Sequence, residues 1–413
     1  MKRWIIFALL VGVVSLGGWA QDGLELPSKY LDAALVLGNW LTENLHAEVP
    51  SWPYSWDPTR TDVGIAMDCS RHLKQLADLT GDSAYETVAK DSVDFWIATG
   101  LIVDETTIDG WLWDVGGAVS EIGWEDGVFD KVQGAFVGGY WPTKGEFEGV
   151  RRAAISFCGS VVRPLAALLE FGDTYADTID IVKGWLFTDL DAKMPTSGES
   201  ERRAFMGAQS LVDYDADGLL EVEYSLWGSS RQSAGQNSRL IPVLLGLGEI
   251  ELAESIGDWL IDVMWDEERG SFQTLFDITE QSCMTFEEYQ DYSDINARTA
   301  YGLLNLYEAT GNEAYLDHAV LTLDWLADEE TFVAATNEGT HTYFTKPTVY
   351  GNHIVATAFA KGYAVTANPK YLALALTTTD FLLSQMDDPF TGFESNAWTV
   401  VEVLEAVLAL LVL

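Results

Sequence analysis

The run Asp294-Ile295-Asn296-Ala297-Arg298-Thr299-Ala300-Tyr301-Gly302-Leu303-Leu304-Asn305-Leu306-Tyr307-Glu308-Ala309-Thr310-Gly311-Asn312 decides the reading of the fold. Ile295, Ala297, Ala300, Tyr301, Leu303, Leu304, Leu306 and Tyr307 place apolar groups nearly all round a helix. A helix apolar on every side is buried. Gly311 after it and Asn312 before the next element are stop and start signals. The helix that follows is amphipathic: Tyr315, Ala319, Leu323 and Leu326 face one way, Glu313, Asp317 and Asp324 the other. The stretch therefore reads as a hairpin of one buried and one half-exposed helix.

The same unit recurs along the chain. Tyr85 precedes Phe95, Tyr175 precedes Trp185, Tyr315 precedes Trp325 and Tyr371 precedes Phe381, each by ten residues. Asp94, Asp324 and Asp380 stand just before the second aromatic, and Asp258-Trp259 is a copy without the Tyr. Each copy follows a turn: Thr80-Gly81-Asp82, Phe171-Gly172-Asp173, Leu247-Gly248-Glu249, Thr310-Gly311-Asn312 and Asn368-Pro369. Twelve helices are expected, over about 28–46, 61–79, 83–99, 147–171, 173–187, 234–248, 250–265, 294–310, 312–328, 351–366, 368–386 and 395–412. The last is a buried helix without an outer partner and the first an outer helix without an inner one. Paired, they close a ring, so the chain can end in an apolar helix.

The hairpin from Asp294 to Asn312, with Tyr315 and Asp324-Trp325-Leu326, resembles the six-hairpin, (α/α)6-barrel superfamily. The resemblance covers most of the chain after its first 20 residues. It implies an all-α fold: an (α/α)6 barrel of six helical hairpins closed by the N- and C-terminal helices, with long rim loops, over 21–413 as a single toroid domain. Known members of the superfamily are mostly glycoside hydrolases, with sugar epimerases and polysaccharide lyases among them. A likeness of fold does not transfer an activity by itself.

Lys2 and Arg3, the apolar run Ile5 to Leu16, and Gly18-Trp19-Ala20 read as a secretory signal peptide over 1–20, and the mature protein is expected to be secreted, extracellular or periplasmic. Sixty-four acids against 23 bases give a net charge of −41, distributed along the chain. Such a field repels phosphates and argues against nucleic acid or anionic membranes as partners. The apolar stretch Ala397–Leu413 is short for a membrane span and holds Glu402 and Glu405. Three cysteines allow at most one disulfide, and no Asn-x-Ser/Thr acceptor is present. A monomer is expected.

The inner-to-outer turns are short, whereas the outer-to-inner connections at about 100–146 and 188–233 are long. In a ring of hairpins these all emerge on one face, and long loops gathered on one rim carry function. The resemblance puts the active cleft there. Trp52, Trp56, Trp111, Trp113, Trp124, Trp141 and Trp227 all read as loop residues. Flat aromatic faces suit sugar rings; packing of the loops over the barrel is the other use for them. Asn237, Asn296, Asn352 and Asn396 recur at inner-helix starts, where an amide caps a helix and can also meet a substrate hydroxyl. Arg151, Arg152, Arg239 and Arg298 lie within about a turn of helix starts, placed to neutralise rim carboxylates or to grip a substrate carboxylate. The few, scattered histidines, Cys69-x-x-His72 included, argue against a catalytic zinc, and no redox cofactor is expected.

Glycoside hydrolysis needs one carboxylic acid and one carboxylate. Glu125, with Asp126, beside Trp124 is the candidate acid, since a drying aromatic site raises a carboxyl pKa. Asp294 at an inner-helix start is the candidate base, because helix N-termini favour the anion; Asp62 and Glu394 hold comparable places. Asp213, Asp215, Asp217 and Gly218 match the first half of an EF-hand calcium loop, with Glu221 nearby, but Tyr224 stands where the twelfth-position acid belongs. A structural Ca2+ and an acidic turn without metal both fit, as does a loop that contacts substrate. The leading expectation is a secreted carbohydrate-active enzyme, a glycoside hydrolase acting on an oligo- or polysaccharide. The alternatives are a non-catalytic carbohydrate-binding or cell-surface protein, and a lyase or epimerase in which His353 or His341 abstracts a proton.

Overall fold

The computed structural model describes residues 28–54, 57–98, 113–115, 118–120, 123–124, 133–134, 139–141, 146–147, 155–156, 161–197, 202–212, 219–225, 231–284, 293–328, 351–386 and 396–413. Twelve helices within them build the frame: α1 (Ser28–Glu43), α2 (Val63–Thr80), α3 (Ser83–Ala98), α4 (Arg163–Glu170), α5 (Ala176–Phe187), α6 (Ala234–Gly246), α7 (Ile250–Trp259), α8 (Ser293–Thr310), α9 (Glu313–Leu326), α10 (Asn352–Thr366), α11 (Pro369–Met386) and α12 (Ala397–Leu411). A one-turn helix, Leu190–Lys193, follows α5. The even-numbered helices pack side by side, α2 against α4 and onward to α12, which returns to α2. The odd-numbered helices lie outside, and α1 packs on α12. This is the expected (α/α)6 barrel, closed by its first and last helices.

Three of the turns inside the hairpins share one device. Thr80, Thr310 and Thr366 each donate a hydroxyl to the carbonyl four residues back and accept the N–H two residues on. Between them Gly81, Gly311 and Ala367 take left-handed backbone angles (φ 73°, 71° and 55°). That conformation ends a helix and costs least for glycine. Asp82, Asn312 and Asn368 then accept a first-turn N–H of the next helix.

The spaced Tyr and Asp residues stitch the outer ring. Tyr175 of α5 donates to Asp94 of α3 (2.8 Å), Tyr315 of α9 to Asp258 of α7 (2.8 Å) and Tyr371 of α11 to Asp324 of α9 (3.2 Å). Tyr30 of α1 reaches Asp380 of α11 (3.0 Å), and Tyr85 of α3 reaches Asn39 of α1 (2.8 Å). Between α5 and α7 the link is the ion pair Lys183–Glu249 (2.5 Å). Gly38 and Gly257 precede two of the acceptors. A Cβ on Gly257 would stand 2.4 Å from Leu306 and 3.0 Å from the Tyr315 ring, so only glycine lets that ring slide in.

Two expectations are corrected. Among the described residues of the fourth helix, expected over 147–171, regular α-helix covers Arg163–Glu170, after a wide turn at 161–162. Pro164 stands in the first turn of this helix, where its missing N–H costs least, and Ile155–Ser156 is a strand. The outer-to-inner connections also carry small sheets that no twelve-helix reading contains. Asp57–Asp62 pairs with Gly139–Trp141 and runs straight into α2; Arg231–Ser233 runs straight into α6. Leu219–Ser225 joins Ala208–Val212 on one side and Gly123–Trp124 on the other, so two long connections share one sheet. The sheets therefore sit at the rim where the inner helices begin.

Candidate active site

Side chains of inner helices that are not neighbours can meet only inside the ring. Arg163 at the start of α4 lies 4.8 Å over the Trp398 ring of α12, across α2. Its Nε also pairs with Asp68 of α2 at 2.9 Å. Trp398 donates its indole N–H to Glu402, one turn along α12. Glu402 lies 3.6 Å from Nδ1 of His353 on α10, and Glu405 lies 3.8 Å from Nε2 of the same ring. One chain of contacts thus joins α2, α4, α12 and α10 inside the barrel.

Asp294 and Arg298 of α8 form the second part. Arg298 Nε is 3.8 Å from Asp294 Oδ2, the i,i+4 spacing that stacks side chains on one helix face. Asp294 is only 4% exposed, and its Oδ1 has no hydrogen-bond partner among the described residues. Burial raises its pKa, against the pull of Arg298, Arg239 and the backbone amides of Ile295 and Asp294. Desolvation therefore outweighs the helix N-terminus that was expected to hold this carboxylate ionised. Glu402 is buried too, and burial pushes its pKa up to about 8, with Glu405 adding and Trp398, Arg163 and Arg298 opposing. Deeper in the ring Arg71 pairs with Glu170 (3.3 Å). Burial works against its charge, yet Glu170, Tyr301, Glu405 and Asp68 raise its pKa overall.

Several expected site residues have other work. Trp52 is fully buried and donates its indole N–H to Leu41 O (2.9 Å), so it is packing between α1 and the rim, not an exposed sugar platform. Asn237 and Asn296 are clamps rather than caps. Each accepts the backbone N–H of a phenylalanine, Phe205 or Phe272, at 2.7 Å and donates back to the same residue's carbonyl. These amides fasten rim segments to α6 and α8 and are fully buried. Ser233 caps α6 instead, while Asn396 does cap α12. Asp62 caps α2 through Gly64 and Ile65. His72 Nδ1 bonds Asp68 O within α2, and Cys69 Sγ faces Ala397 O of α12. Asn352 and His353 are buried at the start of α10, and Arg239 is half-buried on α6 near Asp294.

Glu125, Asp126, Trp56, Trp111, Trp227, Arg151, Arg152, His341, Glu394, Asp213, Asp215 and Asp217 lie outside the described residues. Trp113, Trp124, Trp141 and Glu221 lie in strands whose side chains are likewise outside them. No cluster of three metal-ligating side chains is found among the described residues. Arg163, Trp398, Glu402 and Glu405 were missed as site residues. The signal was present: two acids one turn apart on an otherwise apolar buried helix demand partners.

No protein-family model matches the chain, and no curated protein matches it by sequence. Solved structures do match in shape. A cellobiose 2-epimerase from Spirochaeta thermophila is 11% identical with a TM-score of 0.62, over 94% of this chain and 98% of that one. A family 76 glycoside hydrolase (mannosidase) from Bacteroides thetaiotaomicron is 14% identical with a TM-score of 0.57, over 93% and 98%. An inactive variant of an alpha-1,6-mannanase of Salegentibacter, in complex with alpha-1,6-mannotetrose, is 11% identical with a TM-score of 0.57, over 92% and 98%. These likenesses establish the (α/α)6-barrel fold.

Proposed function

We propose that the protein is a carbohydrate-active enzyme, a glycoside hydrolase whose reaction takes place at the mouth of the inner ring. The observation that carries this reading is Asp294: a buried carboxyl at an inner-helix start, braced by Arg298, with one oxygen unclaimed by the described residues. A carboxylate whose basicity is raised by burial suits the task of taking a proton from an attacking water. The substrate is an oligo- or polysaccharide, and the chain is a secreted monomer. Solved neighbours in shape that act on or bind mannan oligosaccharides support the sugar class, through fold alone.

A second reading draws on His353, set between Glu402 and Glu405: abstraction of a proton from a sugar carbon by an epimerase or lyase. No helix among the described residues is long and apolar enough to cross a membrane. We propose further that Asp213, Asp215 and Asp217 hold a structural Ca2+, on the strength of their one-apart spacing before Gly218.

One set of incubations separates the readings. The protein is incubated with a panel of manno-, gluco- and uronate-containing oligosaccharides in D2O. New reducing ends support hydrolysis. Carbon-bound deuterium in a recovered sugar supports epimerisation, and an unsaturated product supports a lyase. Saturable binding without any product supports a carbohydrate-binding protein and overturns the enzyme reading.

A further inference from the structure

The lumen holds a second carboxyl whose surroundings differ from those of Asp294. Glu402 receives the Trp398 indole N–H on one oxygen. Its other oxygen faces His353 Nδ1 at 3.6 Å. His353 in turn presents Nε2 to Glu405 at 3.8 Å. Glu402 and His353 keep 8% and 2% of their side-chain surface, whereas Glu405 keeps 27%. The pair is therefore dry, and Glu405 beyond it is partly exposed.

Three arrangements are unusual for a purely structural acid. Arg163, whose charge acts on Glu402, is paired with Asp68 at 2.9 Å and lies over the Trp398 ring. Arg298 is paired with Asp294. The indole N–H can bond the carboxyl in either protonation state, so it orients the group without demanding a charge. A buried acid in these surroundings holds its proton near neutral pH.

We infer that Glu402, exchanging its proton with His353, is the general acid of this site and stands opposite the Asp294 base. The inference rests on the hydrolase reading above and replaces Glu125 in the acid's role. In the step, the Glu402 carboxyl gives its proton to the glycosidic oxygen as the bond from that oxygen to the anomeric carbon breaks. The leaving sugar departs as an alcohol. Water adds its hydroxyl to the anomeric carbon and its proton to Asp294. Glu402 regains a proton from solvent by way of His353 and Glu405, and Asp294 returns one to solvent.

The groups that face Glu402 set its titration: Trp398 and Glu405 on its own helix, His353 on α10, Arg163 on α4 and Arg298 on α8. Asp68 on α2 acts through Arg163.

The test compares the full-length wild type with Glu402→Gln, Glu405→Gln and Glu125→Gln on a glycan the wild type cleaves and on an aryl glycoside of the same sugar. Glu402→Gln keeps the indole bond and loses the proton. Its rate on the unactivated glycan should fall about a hundredfold or more, with the alkaline limb of the pH profile lost. The rate should recover largely on the aryl substrate, whose leaving group needs little protonation. Glu405→Gln should shift the alkaline limb with a smaller loss of rate, and Glu125→Gln should leave that limb in place. Circular dichroism of each variant separates misfolding from chemistry; if Glu402→Gln misfolds, Glu402→Asp must keep the alkaline limb and lose rate. Full activity and an unchanged limb in Glu402→Gln overturn the inference while leaving the hydrolase reading intact. A wild type that cleaves no glycan overturns both.

Discussion

Tyr30, in the first turn of the first helix, donates its hydroxyl to Asp380 Oδ1 across 3.0 Å and 350 positions of sequence. The same Asp380 oxygen receives Lys29 at 2.6 Å. This is where the outer ring joins its two ends, and it uses the same Tyr-to-acid bond found between α3 and α5, α7 and α9, and α9 and α11. Asp380 raises the Tyr30 pKa, second to burial.

Tyr30→Phe should lower stability by about 1 kcal/mol, the net worth of one hydrogen bond. Tyr315→Phe should cost a similar amount, because its bond to Asp258 is of the same kind. Thermal or denaturant melts check both. A Tyr30→Phe protein as stable as the wild type would show that packing of α1 on α12 alone closes the ring.

Gly257→Ala should destabilise by about 1–3 kcal/mol, the range for forcing extra volume into a packed site. The added Cβ meets Leu306 at 2.4 Å and the Tyr315 ring at 3.0 Å. Gly184→Ala is the control, since a Cβ there meets nothing within 4 Å. Equal effects of the two substitutions would contradict the packing argument.

Asn296→Ala should cost roughly 1–3 kcal/mol, because it leaves the buried Phe272 N–H without its acceptor. The rim segment held by the clamp should then exchange its amide hydrogens faster than α8 does. Hydrogen exchange localised by mass spectrometry reads this; protection unchanged at Phe272 would contradict the clamp.

Stability should fall with pH through Glu402. Its folded pKa of about 8 lies above the ordinary value of 4.5, so the folded state binds the extra proton between these values. Stability is then fully present below the ordinary pKa and is lost as pH rises through the folded one. Glu402→Gln removes this dependence, so the variant should gain on the wild type from about pH 5 to about pH 8. Parallel melting profiles for the two proteins would refute the raised pKa.

Added Ca2+ should raise the melting temperature by mass action if the Asp213–Asp217 loop holds the ion. Asp215→Ala should abolish the response. An equal response in the variant would place any bound calcium elsewhere.

The hairpin repeat was legible because its causes are local. Gly81 and Gly311 stop helices through backbone angles that the residue type itself permits, and Leu303, Leu304 and Leu306 mark a buried helix by spacing alone. Tyr315 and Asp258 could be noticed as a pattern, yet their partnership across neighbouring hairpins needed the ring to close. The start of α4 was misplaced because apolar spacing runs on upstream of the first turn that holds Pro164.

The site divides in the same way. Asp294 could be picked from its place at a helix start, but the direction of its pKa could not. Local sequence shows the helix terminus that favours the anion; only the assembled ring shows the desolvation that outweighs it. Glu402 stood in the sequence as an acid in an apolar helix. Its contact with His353 and the pull of Arg163 and Arg298 arise where inner helices face one another across the lumen. Helices and their order follow from interactions within a few residues, which composition and spacing record. Protonation and chemistry depend on charges and burial contributed by chains far apart in sequence, which only closure of the barrel brings together.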